Sequence, residues 1–462
     1  MALTSAAPSW NKNRVPSNLW ILGASVGVGA AAGSTVVILP GSRAVVLAVG
    51  AVILLLAAVV SMARLSLAQL FSGGVLLLAA TVDLTRSVAV GPISGLGLAS
   101  LTIAGLGILI VLIGRRQRSR ETLWPVGLFL GWAAAGFLWS EASVEGVQTT
   151  VVVASFFLCL VIGARAAYEE QSSQLLARCL TLMGIVPLLL YSASIIMHGP
   201  GAAGLVSPRA FGLTALVAIS WALAQWRYVS KRARWLVLGL LGALLLSLSR
   251  IAFTTAVLIM PLTWMSSRGI VKSPKAILSF CVMGAVFFGA FTYVEPFQER
   301  FTEGDVRNVG GSSVAVNAEG RFKLWPIIWD SYTTSPWVGH GPGSASELAV
   351  TNFPDHLAHP HNDYLRILHD YGIVGMSLWL LSLLALVKST YRSWKMADRA
   401  RDPDARFHLA VLLSLVAVSI SMTTDNTFTY IFVMAPLGIL IGASQGRAFA
   451  MRNAMRGFGG AS

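Results

Sequence analysis

The sequence predicts an all-α polytopic membrane protein of about fourteen transmembrane helices, one pair forming a short helical hairpin, with a large external loop carrying short helices. Three observations lead there. Of 462 residues, 55% are hydrophobic and only 12% are charged, too few charges to cover a water-soluble surface of this size. Apolar runs of about twenty residues, the length that crosses ~30 Å of hydrocarbon, recur along the chain. The basic residues cluster between those runs, as they do in loops held on the cytoplasmic side of a bilayer.

In order, the runs are 18–39, 44–62, 66–82, 95–113, 122–139, 147–164, 176–197, 210–226, 276–294, 372–387, 409–424 and 428–446. Trp235 to Met265 is longer, roughly 46 Å as one helix, and is interrupted only by Ser247 to Arg250. Arg232 and Arg234 precede it and Arg268, Lys272 and Lys275 follow it, so the positive-inside rule puts both ends in the cytoplasm. It therefore folds as two short helices with Arg250 at the outer turn. A single tilted span would bury Arg250 in hydrocarbon at several kcal/mol.

With this parity both termini lie inside, and so do most of the 34 basic residues. Arg43, Arg86, Arg209, Arg250, Arg300, Arg307, Arg321, Lys323 and Arg366 fall outside. A basic residue there opposes the orientation signal and needs a reason of its own; a solvated turn suffices for Arg43 and Arg86. Four regions result: an N-terminal transmembrane bundle (1–234), the hairpin and following span (235–294), a large external loop (295–371), and C-terminal transmembrane helices with a cytoplasmic tail (372–462). The first run is long enough to span and more follow, so it is not read as a cleaved signal peptide. The net charge of +14 is explained by inside loops, which argues against nucleic acid as a partner. Cys159, Cys179 and Cys281 are far apart in or beside apolar runs and suggest neither disulfides nor a metal site.

The external loop, Glu295 to Tyr371, holds half of the acidic residues and five of seven histidines. Long loops between membrane helices are usually functional. Within it, Gly310 to Ser313 is expected to be a mobile turn and Phe322 to Tyr332 an amphipathic helix at the surface. The hexapeptide His359, Pro360, His361, Asn362, Asp363, Tyr364 sets an imidazole beside an amide and a carboxylate able to orient it, the composition of a general base; the plainer alternative is a polar loop end. A metal set of Asp355, His356, His359 and His361 is disfavoured by the stiff backbone at Pro354 and Pro360. Arg209, Arg250 and Arg321 are expected at the outer surface, where guanidinium groups bind phosphate oxygens bidentately or snorkel to lipid headgroups. Three of them would suit a diphosphate whose lipid tail lies among the spans. The glycine-rich turn Gly339 to Gly343 could bring the backbone of Gly341 and Gly343 close to a phosphate or sugar, or simply turn the chain.

The runs "LSLSRIAF" (246–253), "GRFKLWPIIW" (320–329), "SPWVGHGPGS" (335–344) and "HPHNDYLRILHDYGIVG" (359–375) together resemble the O-antigen ligase and Wzy-type polymerase superfamily over residues 235 to 380. The resemblance implies a glycosyltransferase of the bacterial inner membrane, with its site on the periplasmic side, that moves a glycan from undecaprenyl diphosphate to an acceptor hydroxyl. It implies His361 as the base and Arg250 and Arg321 as the diphosphate ligands. Arg209 carries over only through "PRAFG", since the glycine and asparagine-proline pattern of the family is absent after it. The expected contacts to substrate are Arg209, His359, Asn362, Asp363, Tyr364, Gly341 and Gly343. Expected partners are the undecaprenyl-diphosphate-linked glycan donor, a glycan or lipid-anchored acceptor, and membrane lipid.

The chemistry stands without the resemblance as well. A lipid diphosphate is already an activated leaving group, so the reaction needs charge stabilisation on one side of the anomeric carbon and proton removal on the other, with neither cofactor nor metal. His361, steadied by Asn362 or Asp363, is expected to be the base. The alternative is a transporter or flippase of a lipid-linked glycan, which would place acidic or basic sites within the spans. Here the spans are almost free of acidic residues.

Overall fold

The computed structural model describes residues 65–85, 89–90, 93–113, 124–140, 143–266, 273–302, 306–308, 315–317, 321–353 and 359–459. The chain divides into two compact units, 1–65 and 66–462. The predicted spans 18–39 and 44–62, the turn at Gly310 to Ser313, and Arg43, Arg86, Asp355 and His356 lie outside the described residues.

Among the described residues, fifteen α-helices carry the second unit: α1 (Leu67–Thr81), α2 (Gly95–Ile113), α3 (Trp124–Ala135), α4 (Val144–Ala166), α5 (Glu170–His198), α6 (Pro208–Tyr228), α7 (Ala233–Leu246), α8 (Arg250–Ile259), α9 (Pro274–Tyr293), α10 (Glu295–Thr302), α11 (Arg321–Tyr332), α12 (Ser344–Asn352), α13 (Asp363–Ala400), α14 (Ala405–Ser421) and α15 (Ile431–Gly459). Two short antiparallel pairings, Ala89–Val90 with Ile93–Ser94 and Val306–Asn308 with Ala315–Asn317, are the strands among the described residues.

Among the described residues six helices, α2, α4, α5, α9, α13 and α15, are long and apolar enough to cross a membrane by length and composition, and shorter apolar helices accompany them. The fourteen expected spans are therefore not all seen as full-length helices. Several expected runs fold as short pieces: α1 has 15 residues, α7 has 14 and α8 has 10, ~15 to 22 Å of helix against the ~30 Å core. Trp235 to Met265 does break as the charge argument requires. α7 ends at Leu246, α8 begins at Arg250, and Leu248 between them takes a left-handed φ of 54°.

The packing is that of a membrane bundle. α6 is its centre, with every residue from Ala210 to Ala224 buried; Ser207 caps it by accepting from Ala210 N at 3.3 Å, and Pro208 opens its first turn. Against α4, α15 sets Gly438, Gly442 and Gly446, one per turn, so close that an added Cβ would meet Phe156 O, Leu160 O and Ala164 O at 2.6, 2.2 and 2.2 Å. Such small-residue stripes let backbones approach where lipid leaves packing, not the hydrophobic effect, to join helices. Large apolar side chains point outward, among them Ile196 on α5, Leu278 and Phe288 on α9 and Leu384 on α13, as lipid contact requires.

The two ends of the bundle differ. α4, α6 and α13 begin next to Glu145, Arg209 and His361, whereas their far ends carry Arg165, Arg227 and Arg399. At that far end Arg227 pairs with Asp398 at 3.0 Å and Arg447 with Asp404 at 2.5 Å. Basic residues expected inside thus gather away from His361.

One helix break shapes the opposite end. α13 is interrupted at Gly372, whose φ of 66° and ψ of −172° are not helical. The segment 336–341 satisfies the backbone groups freed there: His340 N donates to His369 O (2.9 Å), Gly341 N to Asp370 O (2.8 Å) and Ile373 N to Pro336 O (2.9 Å).

Candidate active site

His361 occupies the turn just before α13. Its φ of 53° is left-handed, a conformation uncommon outside glycine, in which His is several-fold enriched, and one that costs of the order of 1 kcal/mol or more. The turn is held on both sides. Trp325 of α11 donates to Pro360 O at 2.8 Å, and His361 N donates to Asn426 Oδ1 at 2.9 Å. Asn426 belongs to the turn between α14 and α15, 65 residues further along.

The imidazole meets Arg209. Nη2 of Arg209 donates to Nδ1 of His361 at 2.7 Å, while its Nε donates to Asp425 Oδ1 at 2.9 Å, and Nη2 also contacts that carboxylate. The same guanidinium lies over the Tyr430 ring, 5.5 Å from its centroid. An arginine can only donate, so Nδ1 of His361 is an acceptor and the neutral ring carries its proton on Nε2. Burial, followed by the charges of Arg209 and Arg321, pushes the His361 pKa down to about 2. His359 is held down at about 3 by burial and then by Arg366 and Arg209. Both rings are therefore neutral, and the approach of His361 to Asp425 (4.0 Å) and of His359 to Glu145 (3.6 Å) does not make ion pairs.

The expected orienting residues do other work. Asn362 caps α13, accepting from Leu365 N at 3.0 Å. Asp363 is fully buried; its N donates to Met422 O at 2.9 Å and its Oδ2 accepts from Phe428 N at 2.7 Å. Tyr364 donates from its hydroxyl to Ser419 O at 2.9 Å. Among the described residues no hydrogen bond joins Asn362 or Asp363 to the ring of His361, so the expectation that they steady it is corrected: Asn426 and Arg209 do so, with Asp425 behind Arg209.

Gly341 and Gly343 also sit differently from the expectation. Both are buried against the chain itself. An added Cβ at Gly341 would meet Ser140 Cβ at 2.0 Å and one at Gly343 would meet Gly146 N at 2.5 Å, with φ values of 93° and 86°. Asp370 locks this turn, accepting from Gly343 N (3.0 Å), Ser344 Oγ (3.0 Å) and Ala345 N (2.8 Å). The close approach that requires glycine is to protein, so these two positions are explained by packing.

Of the remaining arginines, Arg321 opens α11 and bears electrostatically on His361. Arg250 opens α8, donates from Nη1 to Arg300 O at 2.6 Å and lies over Phe301. The structure thus brings Arg209, Arg321 and His359 within electrostatic reach of His361 and ties Arg250 to the end of α10.

Sequence reasoning missed Asp425, Asn426 and Glu145. Asp425 was visible as an acid between two apolar runs expected to meet on the outer side, the kind of residue that is costly unless it has a role. Nothing local in the sequence marks Asn426 or Glu145, because their partners are distant in the chain.

A comparison with protein families matches residues 235–380 to the family described as O-Antigen ligase. No curated protein matches the chain. The matched segment contains Arg250, Arg321, His359 and His361, while Arg209 and Asp425 reach the same site from outside it. Residues 235–380 are thus similar to the O-antigen ligase family, in a chain with several helices long and apolar enough to cross a membrane.

Proposed function

We propose that the protein is an inverting, metal-independent glycosyltransferase of the bacterial inner membrane, which moves a glycan from undecaprenyl diphosphate to an acceptor hydroxyl on the external face. The observation that carries this reading is the contact between Arg209 and His361 Nδ1, backed by Asp425. It joins a diphosphate ligand to a proton acceptor at one point.

The chemistry follows from that contact. In the resting state Arg209 occupies the lone pair of His361. A diphosphate offers Arg209 several anionic oxygens in bidentate geometry, a better partner than one imidazole nitrogen. Once Arg209 turns to the donor, Nδ1 is free, and the loss of the adjacent cation raises its basicity. His361 then takes the proton of the acceptor hydroxyl as the oxygen bonds to the anomeric carbon. The bond from that carbon to the phosphate oxygen breaks, and its electron pair leaves on undecaprenyl diphosphate. Arg209, Arg321 and Arg250 neutralise the departing charge. The N-termini of α6 and α13 at the site add positive partial charge to the same end.

The test uses purified protein in liposomes with a lipid-diphosphate glycan and an acceptor glycolipid in the outer leaflet. Glycan should pass to the acceptor with no movement of donor between leaflets. Movement without transfer would instead identify a flippase.

A further inference from the structure

Arg366 is a charge on the outer side that the diphosphate chemistry does not use. It stands one turn inside α13, is fully buried, and reaches Glu145 Oε1 from Nη1 at 3.4 Å, while its Nε and Nη2 find no hydrogen-bond partner among the described residues. Leaving two donors of a buried guanidinium unsatisfied is costly, and the chain keeps them beside the site. Glu145 links this guanidinium to the surface. Its side chain is 28% exposed, it sits in the first turn of α4, and the same Oε1 lies 3.6 Å from Nδ1 of His359, which is 27% exposed and also faces Ser346 Oγ at 3.3 Å. Glu145 and His359 are thus two partly exposed polar groups beside the fully buried Arg366. Charge selects what fits. The exposed charge is the Glu145 carboxylate and the guanidinium lies buried beside it, so an approaching anion meets like charge first, whereas a neutral hydroxyl can donate to Glu145.

We propose that Glu145, His359 and Arg366 form a second subsite, which binds the uncharged hydroxyls of the acceptor sugar and presents one of them to His361. The inference deepens the transferase reading and rests on it for the identity of the ligand as acceptor. Arg366 acts as a positioning residue for Glu145, and Glu145 and His359 touch the sugar.

The experiment measures ligand contact directly. Saturation-transfer NMR on the full-length protein in nanodiscs is run with methyl glycosides of glucose, galactose, mannose and glucuronic acid, and inorganic pyrophosphate binding is measured alongside. Wild-type protein should give a signal with at least one neutral glycoside and none with the glucuronide. Glu145→Gln, at a partly exposed position, should weaken that neutral glycoside about tenfold, the loss of one charge-assisted hydrogen bond, and leave pyrophosphate affinity unchanged. In transfer assays the same variant should raise the acceptor KM and not the donor KM. Arg366→Gln should act in the same direction if it folds; Glu145→Gln decides the matter if it does not. Absence of any neutral glycoside signal, an unchanged signal in Glu145→Gln, or a loss of pyrophosphate binding instead would overturn the proposal. Glycoside binding without pyrophosphate binding would uphold this subsite and count against the diphosphate reading.

Discussion

The Arg209 guanidinium lies between His361 Nδ1, at 2.7 Å, and the Asp425 carboxylate, so one side chain is shared by a proton acceptor and a fixed anion. Asp425 therefore sets where Arg209 rests when no donor is bound. Asp425→Asn removes the counter-charge and leaves the shape. We expect transfer to fall by about ten- to a hundredfold, with the protein still folded. Steady-state kinetics beside a thermal melt in detergent checks this; an unchanged rate would show that Asp425 plays no part.

Arg209→Lys keeps the charge and loses the planar fork. An ammonium cannot bridge carboxylate and imidazole while offering a bidentate face to a diphosphate. The expected result is a donor KM raised about tenfold or more, with acceptor KM unchanged. Donor titration of the purified variant measures it, and equal effects on both substrates would disagree with the assignment.

Protonation gives a third outcome. In the free protein His361 and His359 are held down at about 2 and about 3, whereas unfolded imidazoles protonate near ~6.5. Between those values the unfolded chain binds more protons, so the stability these groups contribute is complete above about pH 6.5 and declines as pH falls towards 3. For activity, kcat/KM reports the free enzyme and kcat the complex. The kcat/KM profile should lack an acid limb near 6.5, and kcat should show one at higher pH than kcat/KM, because Arg209 has turned to the donor. Coincident limbs in the two profiles would contradict the hand-over.

The α4 and α15 contact is a prediction about stability alone. Gly442→Ala places a Cβ 2.2 Å from Leu160 O and 2.7 Å from Ala164 N, which forces the helices apart at about 1–3 kcal/mol. The melting temperature in detergent should drop, and the KM values of whatever folds should not change.

Much of this fold was legible because lipid makes hydrophobicity a strict signal: the helix of residues 95–113 matches its predicted run, and the break at Ser247 to Ser249 followed from the basic residues flanking both ends of the run together with the charge of Arg250. Span length was less legible, since apolar composition does not show where a helix such as α8 stops after ten residues. At the site, the candidate base was marked by the resemblance of its surrounding runs to the O-antigen ligase superfamily, because on the residues alone a polar loop end was the plainer reading. Its neighbours misled for a physical reason. Asn362 and Asp363 are adjacent in sequence, but a helix start consumes them, one as a cap and one as an anchor to the turn at Phe428. The real neighbours, Arg209, Asp425 and Asn426, come from chain ends that only the bundle brings together.

Substitution of His361 is the most direct measurement. Purified His361→Ala, reconstituted with lipid-diphosphate glycan and acceptor, should bind donor as the wild type does and transfer at least about a thousandfold more slowly. Transfer at the wild-type rate by a folded His361→Ala protein would contradict the central claim that this imidazole removes the acceptor proton.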